Sequence, residues 1–83
     1  MAATAEQQRL TEILLDDIAE AEFPSAPQLD RIEQLISTRD ELETYIAILT
    51  QKVEGTRFPP GPLLDRIARL LRVLERADQE GVK

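Results

Sequence analysis

Eighty-three residues without a single cysteine, histidine or tryptophan make one small domain. The absent cysteines exclude disulfide staples and thiolate metal sites. Sixteen acidic residues against ten basic ones leave a net charge of −6, which argues against a general nucleic-acid binder. The charge is uneven. Residues 1–54 carry twelve acids and four bases, whereas residues 55–83 carry four acids and six bases.

The opening "MAATAEQQRL" lacks the basic region and apolar run of a secretory signal. No stretch reaches the ~18 continuous apolar residues of a membrane span. A cytoplasmic protein with no membrane contact is expected.

Leu10, Ile13, Leu14, Ile18 and Ala21 recur at three- and four-residue steps and predict a first helix over 5–22. Pro24 disfavours helical backbone at Phe23 and ends it. Ser25 then opens a Ser-x-x-Gln capping box with Pro27 in the first turn, the signature of a new helix start. Ile32, Leu35, Arg39, Leu42, Ile46, Leu49 and Val53 keep a heptad rhythm and predict one long central helix over 28–54. Gly55 is expected to close it in the left-handed conformation. After "TRFPPGP", a third helix is predicted over 63–79, with Leu63, Ile67, Leu70, Leu71 and Leu74 inward and Arg69, Arg72 and Arg76 outward. Termini with so little apolar content are expected to fray.

"FPSAPQLDRI" at Phe23 and "FPPGPLLDRI" at Phe58 are nearly the same ten letters, 35 positions apart. At that offset Ile13, Leu14 and Ile18 also align with Ile48, Leu49 and Val53. The repeated unit is the end of a helix, a Phe-Pro hinge and the start of the next helix, with Phe23 and Phe58 expected as apolar plugs. The hinges also read as PxxP, a possible ligand for aromatic grooves. The period is similar to that of helical-hairpin repeats such as tetratricopeptide repeats, but the Trp-Leu-Gly-Tyr pattern is absent. The expected fold is therefore all-α: an antiparallel three-helix bundle of two overlapping hairpins sharing a long central helix. The outer helices would cover different halves of that helix. A broad apolar arc would stay open, with Ile36, Tyr45, Ile46 and Leu49 as contacts in a homodimer.

Arg39 is the one charge in the apolar stripe. It is expected to be a register-fixing ion pair with Glu12, Asp16 or Asp78, because a buried charge needs a partner. "LISTRDELETYI" resembles the leucine–arginine–leucine rhythm of the long helix in small helical chorismate mutases. That helix's further basic residues are missing, and Thr50 stands where a lysine is needed. Without histidine or cysteine, acid–base and nucleophilic chemistry is left to carboxylates, Lys52, Tyr45 and hydroxyls, and no cofactor or metal is expected. Arg69, Arg72 and Arg76 form the candidate recognition stripe, lacking the interleaved aromatics that stack bases. An acidic protein partner suits them better than nucleic acid. The composition and pattern point to a non-enzymatic interaction or scaffold module. The rival is an antitoxin-like or accessory regulator of transcription using the arginine-rich helix.

Overall fold

A computed structural model describes residues 4–81, and side chains as far as residue 76. The fold is all-helical, but it has four helices: α1 (Ala5–Glu20), α2 (Ala26–Leu35), α3 (Arg39–Glu54) and α4 (Gly61–Gly81). The expected long central helix is two helices, broken at residues 36–38. Thr38 is the N-cap of α3: its side chain accepts from the Glu41 backbone N–H at 3.1 Å, and Glu41 reaches back to the Thr38 N–H at 3.3 Å. Thr4 with Gln7 and Ser25 with Gln28 build the same box at the starts of α1 and α2. Each box satisfies backbone N–H groups that a helix start leaves unpaired. Three boxes therefore make three starts, and the heptad rhythm across residue 37 is a coincidence of two separate apolar faces.

Gly55 closes α3 with φ −83° and ψ 2°, so the left-handed cap expected there does not form. The α1 terminus has no basic residue of its own in its last turn. Lys52 of α3 supplies one, its ammonium donating to the carbonyls of Ala19, at 3.1 Å, and Ala21. A cation there pairs orphan carbonyls and complements the helix dipole.

Leu15, Ile18, Leu29, Ile32, Tyr45, Leu49, Leu63 and Ile67 form one core drawn from all four helices. α1 packs against α2 and α3, and α3 packs against α4. The break at 36–38 lets α3 turn away from α2, so α1 lies along one flank of α3 and α4 lies along another. That is why α3 is buried more thoroughly than a shared, unbroken helix would be.

The repeat is a duplicated hairpin. α1 and α3 are each 16 residues long, and α3 starts 34 positions after α1, whereas α4 starts 35 after α2. The extra residue is in the second hinge, 55–60 against 21–25. At an offset of 34 the fully buried Thr11 falls on Tyr45, and the buried Leu15 falls on Leu49. The sequence offset of 35 thus holds for the hinges and second helices, and slips by one in the first helices. The second hairpin sits beside the first in the same sense: α1 neighbours α3, and the side chains of α2 meet those of α4.

Candidate interaction site

The junction between the hairpins is polar at its centre. Tyr45 on α3 is wholly buried, and its hydroxyl donates to Glu33 Oε2 on α2 at 2.6 Å. Arg66 on α4 donates to the same Glu33 oxygen at 2.7 Å and to Asp30 Oδ1 at 2.9 Å. Burial pushes the Tyr45 phenol well above its ordinary pKa, and the Glu33 carboxylate pushes it further. Burial works against the Arg66 charge, but the bonds to Glu33 and Asp30 outweigh it and raise its pKa. Among the described residues, no buried side-chain nitrogen or oxygen lacks a hydrogen-bond partner. The junction is closed on itself and holds three helices together.

Tyr45, Ile46 and Leu49, expected at a dimer contact, are buried in their own chain at 0%, 7% and 0% exposure. That expectation is corrected: they have no surface to offer a second copy. Ile36 is half-buried at the α2 terminus. Arg39 is also misplaced by the heptad. It is the first residue of α3, half exposed, and its Nε donates to Glu43 one turn on in the same helix at 2.7 Å. Glu12 and Asp16 line a shallow cleft with Asp40, Glu41, Thr44 and Ile48, where α1 runs beside α3. The Asp78 side chain lies outside the described residues. Arg69, Arg72 and Arg76 are exposed on α4.

A concavity of about 400 Å³ lies where α2 stops and α4 runs on. Ile36, Leu42, Leu70 and Val73 give it an apolar wall, while Glu33, Ser37, Thr38 and Arg39 form its polar part. Val73 is 53% exposed there. Both Phe-Pro hinges lie at the other end, where Phe23 and Pro24 meet Pro60, Pro62 and Leu63 around a smaller cleft. The plug expectation fails for Phe58, which is 82% exposed with the Arg57 guanidinium 5.7 Å from its ring centre.

Sequence reasoning missed Glu33 and Arg66. The signal was the second "LDRI": its arginine faces the first copy's aspartate across the junction. The described residues hold no group of three or more acidic side chains placed for a metal ion, and no helix long and apolar enough to cross a membrane. No protein-family profile, curated protein or solved structure matches the chain.

Proposed function

We propose that the chain is a non-enzymatic protein–protein interaction module that self-associates and docks an acidic protein partner through its helix faces. The observation that carries this reading is the apolar cleft of Ile36, Leu42, Leu70 and Val73, open to solvent where the buried polar side chains of the described residues are satisfied. An open apolar surface of this kind is how an interface is recognised on a small protein. α4 supplies both the Val73 edge of the cleft and the exposed Arg69, Arg72 and Arg76. A partner helix with an apolar seam and an acidic flank complements that pair of features.

The test is retention of a partner by a tagged chain in its native host, followed by reconstitution with the purified partner. Val73→Glu and the triple change R69E/R72E/R76E should each weaken binding by tenfold or more while the helical circular dichroism stays the same. A purified partner that binds both variants as well as the parent rules the cleft out, as does a chain that retains none.

A further inference from the structure

We propose that two copies of this chain pair through their fourth helices, α4 crossing its twofold mate antiparallel along the row Leu64, Ala68 and Leu71. This rests on the self-association in the reading above and gives it a surface.

The row is picked out by its counterpart in α2. Thirty-five positions earlier it reads Leu29, Glu33 and Ile36. In α2 that row is the one that meets the second hairpin. Leu29 is 3% exposed and lines the hinge-end cleft with Pro62 and Leu63. Glu33 accepts from Tyr45 and Arg66, and Ile36 shares the Val73 cleft with Leu70. In α4 the same row lies bare. Leu64 and Leu71 are 42% and 46% exposed, and Ala68 is exposed between them. Leu63, Arg66, Ile67 and Leu70, on the other side of α4, make its contacts within the chain. The middle residue has also changed character. Alanine in place of a carboxylate leaves no polar side chain to bury and lets a second helix approach closely. Steps of four and three residues are the spacing of a seam between two helices.

Charge selects the occupant and its direction. Asp65 and Arg72 border the row, both exposed, and neither enters an ion pair among the described residues. Seven residues separate them, about 10 Å along the helix, which is too far for them to pair with each other. A second α4 laid antiparallel sets each Asp65 beside the mate's Arg72, twice about one axis. A parallel mate would set like charge against like. The antiparallel crossing also carries the exposed Glu75 to the start of the mate's α4, whose first turn has no acidic residue of its own. The helix dipole favours an acid there. Because one row serves both copies, the contact is isologous and closes at two.

Sedimentation velocity over a wide concentration range tests this with the full chain, L71E, D65R, R72D and the double change D65R/R72D. The parent should pass from monomer to dimer and stop there. D65R and R72D each oppose like charges twice, and each should need about tenfold more protein to dimerise, as should L71E, with unchanged circular dichroism. The double change restores both pairs in exchanged order and should dimerise as the parent does. A variant that was merely destabilised would show no such recovery. A parent monomeric at every concentration overturns self-association as a whole, and leaves the Val73 cleft, on the other flank of α4, open to a partner. A dimer that the single changes do not weaken, a double change that recovers nothing, or growth past the dimer overturns the α4 pairing alone.

Discussion

Tyr45 is where burial and charge meet. Its hydroxyl donates to a carboxylate in a fully buried position, so the neutral phenol is strongly preferred in the folded state. The folded pKa is raised above the ordinary 10.0, so the unfolded chain gives up this proton first as pH rises. Folded stability from this group is complete below pH 10 and drains away as pH climbs from there toward the raised folded value, by up to about 1.4 kcal/mol per pH unit. Tyr45→Phe should abolish that alkaline loss and cost about 1 kcal/mol at neutral pH, since Glu33 keeps Arg66. Urea melts of both proteins at several pH values from neutral to alkaline check it. Parallel curves for parent and variant across that range would show that the phenol does not sit as described.

At the scale of elements, the break between α2 and α3 has a sign that a mutation can read. Thr38→Ala removes an N-cap and should destabilise the fold by about 1 kcal/mol. In an unbroken helix over 28–54, the same change would replace a poorer helix former by the best one and gain a few tenths of a kcal/mol. Thermal melts distinguish loss from gain. This element also marks how far the sequence was legible. The turn at Phe23 was readable because Pro24 forbids a helix there, and α4 was readable from its apolar spacing. The break at Thr38 contains neither proline nor glycine, and Leu35, Arg39 and Leu42 continue a plausible heptad across it. Its one mark was Thr38-x-x-Glu41, the box that Thr4 and Ser25 also open, and apolar rhythm overrode it. The error propagated to the site. An unbroken helix leaves Tyr45, Ile46 and Leu49 in the open, whereas the real turn packs α3 between α1 and α4. Glu33 and Arg66 stayed invisible because a polar junction depends on which helices become neighbours, and spacing along one helix does not report that.

The whole molecule is two hairpins that need each other. Each contributes about half of the shared core, and Lys52, Glu33 and Arg66 all bridge from one hairpin to the other. An isolated helix of 10 to 16 residues is marginal in water. A peptide of residues 4–37 should therefore have low helicity by circular dichroism, and mixing it with residues 38–83 should restore part of the parental signal. A first hairpin that folds alone with a cooperative melt would contradict this account of the junction.

Tyr45 is the one tyrosine in a chain without tryptophan. The molecule therefore carries a single phenol, which can be excited at wavelengths the two phenylalanines do not absorb, and the fold places it at the junction of three helices. A phenol hydrogen-bonded to a carboxylate is dim, because the excited hydroxyl becomes strongly acidic and passes its proton to the acceptor. Separation of the hairpins breaks the bond to Glu33, and the emission brightens. Light from an unlabelled sample thus reports whether this junction is open, unobscured by any other residue.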